Sequence, residues 1–144
     1  MRIAFVAGFG PITTDTSASL AFWRDDLGLP MEEIAPDYWG TDDVKGVNAF
    51  AAWPLPEAAE SCFGTKVWPD EVPTPQAWLE VDVLSGDAVG DAAAELEVAG
   101  HRLLKQPVTE PWGQTVARLL SPEGLLVGIT FTPWMHRGER HSDD

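Results

Sequence analysis

The chain is short of cysteine, of tyrosine and of positive charge. Its 144 residues include one Cys, one Tyr, three His and nine Lys plus Arg, against 23 Asp plus Glu. Each shortage excludes something. A lone Cys62 cannot close a disulfide within the chain, which fits a reducing cytoplasm as the expected location. Nothing beside it (Glu60, Ser61, Phe63) resembles a partner that would activate a thiol, so it reads as a structural residue. The net charge of −14, split as −8 over residues 1–72 and −6 over 73–144, leaves no basic patch in either half. Phosphate backbones would meet repulsion, and nucleic-acid partners are not expected. Long apolar runs are missing too, so no membrane span is expected. The N-terminal apolar stretch is broken by Gly8, Gly10 and Pro11, unlike a signal peptide. With no Gly-x-Ser-x-Gly elbow, phosphate loop or Cys–His pair, hydrolase and nucleotide-binding readings find no support.

What is there is apolar and rich in tryptophan. A hydrophobic fraction of 44% over this length suits one domain with a core of its own. Seven Trp against one Tyr is an unusual balance. They are read either as core or as the lining of an aromatic pocket, since an indole combines a large apolar face with one donor.

The chain reads as two halves on one plan. Residues 2–12 form an apolar strand, 13–17 offer N-cap residues, and Leu20, Trp23 and Leu27 recur on one face of a helix over 16–27 that Gly28 caps. In the second half, 76–83 alternates. Gln76, Trp78, Glu80 and Asp82 face one way, and Ala77, Leu79, Val81 and Val83 face a helix over 87–99 that Gly100 caps. The two capping glycines lie 72 residues apart, half the chain. Further strands are expected at 46–53 and 61–68, and at 115–120 and 125–132, for eight or nine strands in all. The expected domain is 1–134, with half-modules 1–68 and 76–134, a Pro-rich linker at 69–75 and a charged, disordered tail at 135–144. The fold class is therefore α+β: two βαβββ modules whose curved mixed sheets surround a cavity, with helices on the outer faces.

Residues 20–30, Leu-Ala-Phe-Trp-Arg-Asp-Asp-Leu-Gly-Leu-Pro, resemble a first-half segment of the vicinal-oxygen-chelate superfamily of glyoxalases, bleomycin-resistance proteins and extradiol dioxygenases. Pro111-Trp112-Gly113-Gln114, followed by Ser121-Pro122-Glu123-Gly124, is similar to a second-half segment of the same family. Order and spacing carry the resemblance, which spans about residues 3–132. It implies a divalent metal held by His, Gln or Glu from the first and last strands of each half. Carried over, those positions fall on Gly8 (flanked by Ala7 and Phe9), on the strand around Phe63–Val67 with Glu57 and Glu60 just before it, on Gln76 and on Gly128. Only Gln76 is a ligand type, so no metal and no cofactor is expected. His101, His136 and His141 read as solvated residues without a metal-spaced partner.

The leading expectation is a metal-free protein that binds a planar aromatic compound, neutral or cationic, as the drug-resistance members of the family do. Its expected ligand-binding residues are Trp78, Trp112, Gln76, Glu80, Trp53, Trp39 and Arg118, with Trp78 and Trp112 as the clamp. Trp39, Trp53 and Trp68 read equally well as core. The alternative is an enzyme: a lyase or dioxygenase with displaced metal ligands, or a metal-free isomerase using Glu80, Glu110 or Arg118. Glu80 and Asp82, two apart on one strand face, would form a coupled carboxylate pair or sit at a wet rim. The resemblance also implies a homodimer.

Overall fold

The computed structural model describes residues 1–136. The first half runs β1 (Phe5–Thr13), α1 (Thr16–Leu20), β2 (Glu32–Ala35), β3 (Tyr38–Thr41), β4 (Phe50–Pro54) and α2 (Leu55–Phe63). The second half runs β5 (Ala77–Asp82), α3 (Gly86–Val98), β6 (Leu103–Thr109), β7 (Thr115–Leu120) and β8 (Leu126–Phe131), and a 3-10 turn at Pro133–Met135 follows.

All eight strands join one sheet in the order β2-β3-β4-β1-β5-β8-β7-β6. Each half contributes four strands with the same internal order. Within a half, the first strand pairs parallel with the last, β1 with β4 and β5 with β8. The two halves meet where β1 and β5 pair antiparallel, so the expected two sheets are one continuous α+β sheet.

The helices form where local signals agree. The Asp15 side chain accepts the Ala18 N–H to start α1, and Ser85 accepts that of Ala88 to start α3. The first helix then widens into a π turn over Ala21–Asp26, with the Leu27 N–H bonded to the Phe22 carbonyl five residues back. Gly28 and Gly100 follow in the left-handed conformation expected of helix-terminating glycines.

Strand alternation sorts the core. Leu20 of α1 and Met31 pack on Phe50 and Ala52, on the side of β4 away from the cavity. Val89, Ala92 and Ala93 of α3 cover Ala117, Leu119 and Ile129 on the corresponding side of β7 and β8. The third helix was not expected. Residues 61–68 read as a strand in the sequence, yet α2 occupies Leu55–Phe63, with Pro at its first turn and left-handed Gly64 as its cap. Its Ala58, Ala59 and Cys62 pack with Ala51, Trp78 and Leu126 on the opposite face of the sheet, together with Trp68 and Val72. Trp68 is core, and its indole N–H donates to the carbonyls of Val72 and Pro73.

The expected tail also departs from the sequence reading. Met135 and His136 pack against the domain, with the His136 ring 4.9 Å from Phe5 and 4.7 Å from Phe131. His136 is thus no solvated surface residue. His141 and the rest of that expected tail lie outside the described residues.

Candidate functional site

The cavity-facing side of β5 carries Trp78, Glu80 and Asp82 in succession, and each meets a different environment. Trp78 meets α2, Asp82 meets the segment after β8, and Glu80 lies between them. Along this strand runs a cavity of about 1270 Å³ lined by both halves. The first half supplies Ala7, Gly8, Ile34, Pro36, Tyr38 and Trp53, and the second supplies Glu80, Lys105, Glu110, Trp112, Gln114 and Arg118.

Trp78 is only 4% exposed. Its indole N–H donates to the Ala51 carbonyl at 3.0 Å, and its ring stands edge-on to Trp53 at 6.3 Å. A Cβ on Gly8 would lie 2.7 Å from the outer edge of that ring. Glycine in β1 is what makes room for the indole. Trp78 is therefore part of the floor rather than a free stacking plate.

Glu80 is held from two sides. Its Oε2 lies 2.9 Å from Nη2 of Arg118, and its Oε1 accepts from Nε2 of Gln114 at 3.3 Å. Arg118 also donates from Nε to the Ser61 hydroxyl at 3.2 Å and lies over the Trp53 ring at 4.7 Å. Cross-strand from Arg118, Lys105 donates to the Ser61 carbonyl at 2.7 Å and pairs with Glu110 at 3.3 Å. The charged wall is largely neutralised within itself, as charges withdrawn from water require. Tyr38 faces this wall. Burial, with the Glu80 carboxylate beside it, pushes its phenol up to about 12, and the Arg118 charge opposes that only in part. Burial also pushes the Cys62 thiol up against the pull of Arg118 and Lys105, consistent with an unactivated structural cysteine.

The other expected residues separate. Trp112 sits on the turn before β7, 62% exposed, at the cavity wall. Gln76 is exposed, precedes β5 and is not among the lining residues. Trp39 is half-buried in β3, packs against the α1 core under the Arg24 guanidinium, and is also outside the lining. Asp82 and Glu80 form no pair and have separate hydrogen-bond partners. Asp82 is fully buried and bonded to Thr130, Thr132 and His136. Sequence reasoning missed Gln114, Ser61, Thr132, Tyr38 and Trp134. The alternation of β5 pointed at Glu80 but held no signal for which distant side chains would meet it.

The register tests whether the superfamily metal fits. Glu80 lies opposite Gly8 on β1 and Gly128 on β8, so Glu80 rather than Gln76 occupies the central position on β5. The last strand of the first half is β4, which brings Ala49, not the Phe63–Val67 stretch, level with Gly8. A Cβ on Gly128 would lie 2.9 Å from Cγ of Glu80 and 3.0 Å from Nη1 of Arg118. The space where ligand side chains would rise from Gly8 and Gly128 is filled by the Trp78 ring and the Glu80–Arg118 pair. Among the described residues no group of three or more His, Cys, Asp or Glu could hold a metal ion. These residues do not fit the metal.

Compared by sequence, the chain matches no family model and no curated protein. Compared by structure, it has the fold of the glyoxalase/bleomycin-resistance/dioxygenase, or vicinal-oxygen-chelate, superfamily. A member of that superfamily from Vibrio splendidus superposes with a TM-score of 0.55 at 15% identity, over 88% of this chain and 97% of that one. A methylmalonyl-CoA epimerase from Streptomyces coelicolor, in complex with 2-nitronate-propionyl-CoA, gives 0.52 at 15% identity, over 92% and 99%. A protein named NAD-dependent benzaldehyde dehydrogenase, from Legionella pneumophila, gives 0.56 at 14% identity, over 86% and 96%. Such different proteins on one fold leave the chemistry to be argued from the residues.

Proposed function

We propose that this protein binds, without metal or reaction, a planar aromatic compound that is neutral or cationic, in the manner of the superfamily's drug-resistance members. The observation that carries the reading is the state of the central carboxylate. Both oxygens of Glu80 are engaged, by Arg118 and by Gln114, so the residue at the centre of the fold is built in as structure rather than left free as a base or ligand. What the cavity offers instead is aromatic surface. Trp112 and Trp134 are the exposed rings of its wall, with Tyr38 and Trp53 also lining it.

Charge supports the same ligand class. Glu80 and Glu110 have cationic partners, and Glu57 lies 3.7 Å from Lys66, whereas Asp42 and Glu60 add negative charge to the lining beyond those pairs. A cation would gain from this field and from the indole faces, and an anion would be repelled. The single buried cysteine fits a cytoplasmic setting.

The test uses two planar probes of opposite charge, thioflavin T and 8-anilinonaphthalene-1-sulfonate, titrated by quenching of Trp fluorescence. The cation is expected to bind more tightly at low salt, with the gap narrowing as salt is added. Equal or tighter binding of the anion, or no quenching by either probe, would overturn the reading.

A further inference from the structure

Thr132–His136 leaves β8 and crosses the end of β5, where Asp82 receives it. The Asp82 carboxylate has no exposure and collects four contacts: the hydroxyls of Thr130 and Thr132, the Thr132 N–H at 2.7 Å and Nε2 of His136 at 2.8 Å. A carboxylate removed from water is tolerable only with such a set of partners, so this contact is specified rather than incidental. Between the two ends of the crossing, Trp134 and Met135 form part of the cavity wall.

The same contact reaches the opposite lip. The Thr132 hydroxyl accepts from Nε2 of Gln114 at 2.9 Å. Gln114 closes the turn that carries Trp112, because its carbonyl accepts the Glu110 N–H at 2.8 Å. Its side-chain oxygen accepts the Trp112 indole N–H at 3.5 Å. A continuous path of bonds therefore runs from His136 through Asp82, Thr132 and Gln114 to Trp112, and Gln114 ties it to Glu80.

We propose that Thr132–His136 is a strap latched on Asp82, and that Gln114 is the positioning residue through which the latch sets Trp112. The Trp134 and Trp112 walls then open and close as one unit. That the strap admits a ligand rests on the binding reading above. The coupling itself does not, and it is tested in ligand-free protein.

The measurement is the indole N–H spectrum of the seven Trp by NMR, with amide exchange at Thr132. His136→Ala should release the latch. The Trp134 and Trp112 resonances then shift or broaden, and the Thr132 amide exchanges about tenfold faster, the scale of one lost hydrogen bond. Trp68 and Trp78, bonded to buried carbonyls, should stay in place. Thr132→Val removes the hydroxyl's bonds to both Gln114 and Asp82 but keeps the backbone N–H and His136 on Asp82, so Trp112 should move more than Trp134. The proposal is overturned if Trp112 is unmoved in either variant, if Trp134 is unmoved in His136→Ala, or if Trp68 and Trp78 shift alongside them. The last result would mean general loosening instead of a latch. Intact coupling in a protein that binds neither probe would sink the binding reading and leave the strap standing.

Discussion

Where β1 and β5 cross the middle of the sheet, the first half presents Gly8 beside Ala49 and the second presents Glu80 beside Gly128. The strand plan around these pairs is the same, yet the wall at the first pair is apolar and the wall at the second is charged. On the first wall the missing side chain at Gly8 is filled by an indole from the second half. On the other, Gly128 lets a guanidinium and a carboxylate lie close against β8. The repeat specifies a trough and little else. What the trough accepts is decided by which positions lost their side chains and what moved into the gap.

The charged wall should be the more fragile. Arg118→Met leaves the half-buried Glu80 without its cation, and loss of one partner from a pair withdrawn from water costs up to about 3–5 kcal/mol, to be measured by urea denaturation. The double variant with Glu80→Gln should recover part of that loss. Equal loss in the single and double variants would show that packing of Arg118 on Trp53, rather than the ion pair, holds this wall.

The apolar wall should break by overfilling. Gly8→Ala pushes a methyl into the Trp78 ring, which its bond to Ala51 prevents from swinging away. A cost of about 1–3 kcal/mol is expected for such overpacking. An unchanged midpoint would mean that the two halves can separate slightly at β1, and the contrast between the walls would weaken.

Tyr38 reports on the boundary between the walls, and as the only tyrosine it gives a clean signal. Its phenol ionises at about 12 in the folded protein against about 10 when unfolded. The fold thus favours the neutral form. This contribution to stability is whole below about pH 10 and is lost as pH rises through about 12. Ultraviolet titration of tyrosinate checks it, and ionisation near the ordinary value would place Tyr38 in water instead of against Glu80. The smallest effect on stability is expected at the rim. Trp112→Ala removes a ring that is 62% exposed and should change unfolding free energy by no more than about 0.5 kcal/mol.

Much of the fold was legible because it rests on local signals. The alternation of β5 placed Trp78 and Glu80 on the cavity side, and Gly28 and Gly100 ended their helices where expected. The β2–β3 hairpin was not legible, since Glu32–Ala35 is an exposed edge strand with no apolar alternation. Helix α2 was misread, although Pro54, Pro56 and Gly64 bracket it, because its 9 residues are too few to set a helical period apart from a short strand. Counting along the chain placed the central β5 position at Gln76, and only the pairing register shows it to be Glu80. The site was legible only as far as strands dictate it. That Trp78 and Trp112 line one cavity follows from alternation and turn position. That Ser61, Gln114 and Thr132 tie its charged groups together depends on contacts between residues 18 to 57 apart in sequence, which no local pattern announces.

In the proposed binding the exposed rings of the cavity wall, Trp112 and Trp134, hold the ligand, and the Glu80–Arg118 pair does not. The most direct measurement is the thioflavin T affinity of the Trp112→Ala, Trp134→Ala double variant beside that of the parent protein, with folding verified by urea denaturation. An unchanged fold is expected, with binding weaker by on the order of 1–3 kcal/mol, the scale of a lost aromatic anchor. Unaltered affinity in the folded double variant would contradict it.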